Sequence, residues 1–203
     1  MGLIASLNRP GGNVTGVNIL TSELAAKRVG LLRDLVPSSA VIAYIVNPNF
    51  PSTPAGIRDV QAAAPALGVQ IVVMPATSIA DIDAAFVSMR DKQIGALLVG
   101  ADSFFNSRRD QFVALSARHS IPAIYELREF AVAGGLLSYG TNLADAYRQM
   151  GRYAGRILRG EKASDLPFVQ SAKFELVINA RTAKALGLRL PSGLLSIADE
   201  VIE

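Results

Sequence analysis

The chain of 203 residues has no cysteine, no tryptophan and a single histidine. Without cysteine there is no thiolate nucleophile, no zinc–cysteine cluster and no disulfide. That fits a reducing compartment, or a secreted protein large enough to fold without bridges. One histidine leaves no multi-histidine metal site, and a Ser-His-Asp triad would have to rest on His119. Charged residues are also scarce, at 18%, and aromatics make up 6%. Half the chain is hydrophobic and the mean hydropathy is +0.32, which excludes a disordered chain. No apolar run reaches the roughly 18–20 residues that span a bilayer.

The formal net charge is +3, with a pI near 9.4. The basic residues are scattered, the closest pairs being Lys27-Arg28 and Arg108-Arg109. A nucleic-acid surface shows a dense basic stripe interleaved with stacking aromatics, and none is present, so no nucleic acid is expected as a partner. The opening Met1-Gly2-Leu3-Ile4-Ala5-Ser6 has no basic region ahead of an apolar core and is not a signal peptide.

What the chain does have is regular alternation. Apolar runs begin at Val41, Val69, Ile94 and Ile121, spaced 28, 25 and 27 residues apart. Near-continuous apolar strands at that interval, separated by amphipathic segments, predict parallel strands buried on both faces. A helix from about Ser22 to Pro37 precedes them. The next is capped by Thr53 with Pro54 in its first turn, buries Ile57, Val60, Ala64 and Leu67, and stops at Gly68. Ser78 with Asp81 predicts a capping box ahead of Ile82, Ala85, Phe86 and Met89. Asn106 or Ser107 opens a third helix, and Asp102 is the weaker cap. A longer helix follows Thr141-Asn142, with Leu143, Tyr147, Met150, Ala154 and Ile157 on its apolar face and Gly160 as its stop. Beyond it lie a strand at 174–178, a short helix from Ala180 to Leu186, and a tail. The fold class is α/β, a doubly wound parallel sheet. A short strand at 13–18 and the long helix do not fit a simple repeat.

In an open parallel sheet, ligands bind beyond the carboxyl ends of the strands. Those ends carry Asn47-Pro48-Asn49, Asp102-Ser103-Phe104, Glu126 after Tyr125, and Ser138-Tyr139-Gly140-Thr141-Asn142. Amide, carboxylate, hydroxyl and aromatic groups on one edge suit a small polar or aromatic molecule. Each also has a structural use: Asn47-Pro48 turns the chain, Thr141 or Asn142 caps a helix, and the phenylalanines pack under a loop. Enzyme signatures are missing. Gly11-Gly12-x-x-x-Gly16 lacks dinucleotide spacing, and there is neither a phosphate loop nor a G-x-S-x-G elbow. His119 falls at a helix C-terminus, away from the binding edge, where a cation is favoured by the helix dipole. A base at Glu126 or Asp102, or a Glu126/Glu129 pair, on a flavodoxin-like sheet is the weaker reading.

Several longer motifs carry a resemblance. They are Leu7-Asn8-Arg9-Pro10-Gly11-Gly12-Asn13-Val14-Thr15-Gly16, Lys27-Arg28 followed by Leu31-Leu32-Arg33-Asp34-Leu35-Val36-Pro37, Val46-Asn47-Pro48-Asn49, Ala133 to Gly140, Ile157 to Lys162, and Leu176 through Leu188 to Ile202. Together they resemble the ABC-transporter substrate-binding proteins of the tryptophan/tyrosine-type branch, with a type I periplasmic-binding-protein fold. The resemblance implies two α/β lobes closing on a small ligand, an amino acid or aromatic carboxylate, and delivering it to a membrane permease. It implies no catalysis, no cofactor and no metal, and a periplasmic or extracellular, membrane-associated location. Members carry a leader and most of a first lobe before the Arg-Pro-Gly-Gly-Asn motif, which here begins at residue 9. The expected division is therefore 1–19 as a remnant of the first lobe, 20–138 as the second lobe, 139–167 as a return segment, and 168–203 packing on the second lobe. The expected ligand residues are Asn47, Asn49, Asp102, Phe104, Tyr125 and Glu126, with Tyr139 and Asn142 at the return crossover. Such a chain is expected to bind weakly or not at all, and to dimerise through apolar faces left on the long helix and on the strand at 13–18. A ligand-sensing regulatory domain of the same fold is the further alternative.

Overall fold

The computed structural model describes residues 4–19 and 24–203. In chain order the elements begin with β1 (Val17–Asn18), α1 (Ala25–Leu35), β2 (Val41–Val46), α2 (Thr53–Leu67), β3 (Gln70–Pro75) and α3 (Ile79–Asp91). There follow β4 (Ala96–Val99), α4 (Ser103–Ser107), α5 (Arg109–Arg118), β5 (Ala123–Tyr125), α6 (Arg128–Val132), β6 (Leu137–Thr141) and α7 (Leu143–Leu158). The chain ends with β7 (Val169–Gln170), β8 (Phe174–Asn179), α8 (Ala180–Ala185), α9 (Ser192–Ser196) and β9 (Glu200–Ile202). They fall into two compact units, Met1–Leu20 with Thr141–Phe174, and Thr21–Gly140 with Glu175–Glu203.

The larger unit is built on a seven-stranded sheet of order β3-β2-β4-β5-β6-β8-β9. The pairs β2/β3, β2/β4, β4/β5, β5/β6 and β8/β9 are all parallel. Strand side chains alternate, so β2, β4 and β5 each feed two cores. Ile42, Tyr44 and Val46 of β2 pack with Val29 and Leu32 of α1 and Val60 of α2. Ala43 and Ile45 face Phe86 and Met89 of α3 and Phe112 of α5. This is the doubly wound architecture, with helices covering both faces of a parallel sheet.

Local chemistry sets the element ends. Ser78 and Asp81 form the capping box of α3, and Gly68 closes α2 at φ 63°. Thr53 is not the cap of α2: Ser52 holds that position, and the Thr53 hydroxyl instead donates to the Asn47 carbonyl at 2.7 Å. Asp102 proves to be the cap after β4, accepting from the Phe104 and Phe105 amides, so a short α4 forms before α5 where one helix from Asn106 was expected. β6 continues through Thr141, a stretch expected as loop, and the C-terminal tail forms α9 and the edge strand β9. The expected start of α1 at Ser22 lies outside the described residues. His119 follows α5 and lies against the Phe86 ring at 5.8 Å, so it is a packing residue.

In the smaller unit, β1 and β7 form a parallel pair, and Thr15 donates to the Leu166 carbonyl at 2.7 Å. The stretch 168–174, expected with the second lobe, belongs to this unit because Val169–Gln170 pairs with β1. α7 is strongly amphipathic, yet Ala146 is its only fully buried residue. Tyr147 is 64% exposed and Leu158 87%, so most of its apolar stripe is uncovered. Among the described residues no helix is long and apolar enough to cross a membrane.

Candidate functional site

The carboxyl ends of β2, β4, β5 and β6 in the larger unit carry a connected polar network. Asn47, the first residue past β2, accepts the Asn49 amide on its Oδ1 at 3.0 Å and donates from Nδ2 to Asp102 Oδ2 at 3.1 Å. Asp102 uses its other oxygen for the Phe104 and Phe105 amides at 2.8 and 3.2 Å. One carboxylate therefore ties the turn after β2 to the start of α4. Both of its oxygens accept hydrogen bonds within the chain.

The next link is Glu126, directly after β5 and 5% exposed. Its Oε1 accepts from Asn106 Nδ2 at 2.9 Å, while Oε2 is buried with no protein donor. Burial pushes this carboxyl above the usual range; Arg28 and the Asn106 hydrogen bond pull it back, and Asp102 pushes it further up. Arg28, on the first turn of α1, is 1% exposed, and its Nε donates to the Tyr139 carbonyl at 2.7 Å. Burial lowers the guanidinium's pKa, and the charge of Glu126 opposes that shift most strongly. Tyr44 stands beside them, its hydroxyl pushed up by burial and pulled back by Arg28. A narrow recess lined by Arg28, Tyr44, Asn47, Thr53 and Gly100 joins the guanidinium to the Asn47 turn. Among the described residues the gathered charges are one buried cation, Arg28, and two carboxyls, Asp102 and Glu126.

The structure thus brings together Asn47, Asp102 and Glu126 of the expected residues, with the Asn49 amide and the Tyr139 carbonyl. Phe104 is half-buried at the rim, with the Arg108 guanidinium 5.8 Å over its ring. Tyr125 is not part of the network. Side chains alternate along β5, so Tyr125 points to the opposite core, fully buried, stacked on Phe130 at 4.5 Å with its hydroxyl 3.0 Å from Ser116 Oγ. Asn142 belongs to the smaller unit, where its side chain caps α7 by accepting the Asp145 amide at 2.8 Å. Sequence reasoning missed Arg28 and assigned Asn106 only to capping. The signal for Arg28 was available: it sits three and four residues before Leu31 and Leu32, a charge on the buried stripe of an amphipathic helix. Among the described residues no group of three or more histidine, cysteine or acidic side chains could hold a metal.

Comparison with known proteins gives this edge its context. The chain is 25% identical over 188 residues to the tyrosine-binding protein of Clostridioides difficile, covering 93% of this chain and 54% of that protein. It thus spans about half the length of that curated relative. A Streptococcus pneumonia ABC domain solved with L-Trp superposes with a TM-score of 0.85 at 26% identity, covering 98% of this chain and 68% of that one. A conserved domain protein from Vibrio cholerae has the same TM-score at 23% identity, covering 98% of this chain and 66% of its own, and speaks for the fold alone. The family described as ABC transporter substrate binding protein matches residues 1–202. On that match, this chain belongs to the ABC transporter substrate-binding protein family.

Proposed function

We propose that this chain acts in the solute-binding component of an ABC importer and receives a small amino-acid-like ligand on the polar edge of its larger unit. The observation that carries the reading is the charge of that edge. Among the buried charges of that edge Asp102 and Glu126 outnumber Arg28, so the buried network is net negative when all three are ionised and favours a ligand that brings an ammonium group, while the Arg108 guanidinium stands over the Phe104 ring at the rim. Phe104 at the rim offers a ring face to an aromatic side chain. The L-Trp complex and the tyrosine-binding relative are consistent with that chemistry. On this reading the chain binds without catalysis, its partner is a membrane permease, and its place is outside the cytoplasmic membrane. The proposed ligand contacts are Asn47, Asn49, Asp102, Phe104 and Glu126, with Tyr139 holding Arg28.

The test is a titration of the isotope-labelled chain with L-tyrosine, L-tryptophan and L-leucine, followed by amide chemical shifts, a method that registers millimolar binding. Shifts are expected at Asn47, Asn49 and 102–106, and weaker ones with 3-(4-hydroxyphenyl)propanoate, which lacks the ammonium. No response to any amino acid, or a response confined to other surfaces, overturns the reading.

A further inference from the structure

We propose that β3 is the self-association edge of the larger unit: two copies of this chain pair there as antiparallel strands about a two-fold axis, joining their sheets into one. β3 ends the seven-stranded sheet, with β2 on one side and, among the described residues, no strand on the other. The amides of Gln70 and Ala76 donate to the carbonyls of Ala40 and Val46, at 2.8 and 2.9 Å. Strand alternation therefore turns the N–H groups of Ile71 and Val73 outward, together with their carbonyls. An edge of this kind is a template for a further strand unless it is short, charged or bent away. β9, at the other end of the sheet, has three residues and opens on Glu200, which pairs with Arg128. β3 has six residues, Gln-Ile-Val-Val-Met-Pro, and no charge. Pro75 lacks an N–H, but it sits at the very end of the strand.

A second copy is the occupant that fits, because this edge is complementary to itself. With Ile71 of each copy opposite Val73 of the other, each outward N–H meets an outward carbonyl, Val72 meets Val72 on the axis, and Pro75 stays outside the ladder. The flanking helix adds a charge match. A groove of about 400 Å³ runs between β3 and α3, lined by Val72, Met74, Asp81, Ala84, Ser88 and Lys92. Asp81 stands in the first turn of α3 and Lys92 just past its last. The axis sets the two α3 helices antiparallel, so the acidic start of each, Asp81 and Asp83, faces Lys92 of the other. An unrelated extended peptide would satisfy the backbone groups but not that charge pattern. The contact lies within the larger unit and does not depend on the ligand reading.

The test reads mass and amide exchange together on the full chain. A short contact gives a weak dimer, so between about 10 µM and about 1 mM the mass from sedimentation is expected to climb from 21.5 kDa toward twice that value. Amide exchange at Ile71 and Val73 is expected to slow about tenfold where about nine-tenths of the chain is paired. Val72 and Met74, bonded to β2, stay protected throughout. Val73→Pro, which removes an outward N–H and no bond to β2, is expected to abolish both effects. Should that variant not fold, Ala84→Arg, at an exposed position on α3, fills the groove and is expected to abolish them as well. Lys92→Glu should raise Kd about tenfold, since the axis makes the reversed contact twice. A chain that stays monomeric at about 1 mM overturns the proposal, and so does one that associates while Ile71 and Val73 exchange as fast as in the monomer. Protection of these amides that requires an added extended peptide, or a Kd unmoved in Ala84→Arg and Lys92→Glu, overturns it too.

Discussion

Gly140→Ala is expected to destabilise the larger unit because of a single contact. The backbone angles of Gly140 are ordinary, so the reason for glycine is space and not conformation. An added Cβ would lie 1.9 Å from the Glu126 carbonyl oxygen and 2.9 Å from its carbonyl carbon, where real Cβ contacts essentially never fall under 3.0 Å. Both obstructing atoms are backbone, and no rotamer change can clear them. β5 and β6 are paired two residues earlier, at Tyr125 and Ser138, so relief must come from pulling that pairing apart. Overpacking costs about 1–3 kcal/mol, and a backbone obstruction belongs at the top of that range. The gain from a stiffer unfolded chain, about 0.4–1 kcal/mol, offsets part of it. A net loss of about 2 kcal/mol, with a urea slope of about 2 kcal/mol per molar, lowers the midpoint by about 1 M. Urea unfolding followed by far-ultraviolet circular dichroism measures this directly. A midpoint equal to wild type at an unchanged slope would refute the steric argument. The displaced Glu126 should also weaken amino-acid binding in the same variant.

Other substitutions test neighbouring parts of the reasoning. Gly151→Ala, inside α7 with nothing within 4 Å of the new methyl, is expected to stabilise by about 0.5–1 kcal/mol in the same urea assay. Tyr125→Phe leaves the buried Ser116 hydroxyl without its partner and should cost about 1 kcal/mol in urea unfolding. Since Tyr125 faces the core, the variant should leave amino-acid shift titrations unchanged. Ser78→Ala removes the capping box of α3, a loss of about 1 kcal/mol in thermal or urea unfolding. The Asp81 carboxyl in that box is held below its usual range by the Thr77 backbone and side-chain hydrogen bonds. Its contribution is therefore present above the unfolded-state pKa and is lost as pH falls through the lower folded value. Protection of the amides at the start of α3, corrected for intrinsic exchange, should fall in that acid window, and protection that stays constant across it would count against the box.

Much of the fold was legible because it follows from periodicity. The runs at Val41, Val69, Ile94 and Ile121 are almost continuously apolar, as strands of a sheet covered on both faces are, and their strands are parallel. Ser78 with Asp81, and Gly68, act within a few residues of themselves, so local chemistry was enough to place them. The edge residues Asn47, Asp102 and Glu126 were legible for a related reason: Asn47 and Glu126 directly follow parallel strands and Asp102 comes three residues after the end of β4, so topology alone sends them to one rim.

Other features depend on partners distant in sequence. Val169–Gln170 looks like any short polar-apolar pair, and its place beside Val17–Asn18 is set by a pairing across about 150 residues. β9 is too short to carry its own signal and exists through its pairing with β8. Tyr125 and Glu126 are adjacent in sequence and were read as one cluster, yet strand alternation sends them to opposite faces. Sequence alone therefore determined the parallel α/β sheet, the capped helices and the rim on which polar groups gather. Tertiary structure decided which of those groups meet: Arg28 enters a carboxylate network from α1 and is fixed there by a carbonyl 111 residues away. A buried charge is stable only beside its counter-charge and hydrogen-bond acceptors, and those are supplied by the packing of remote elements.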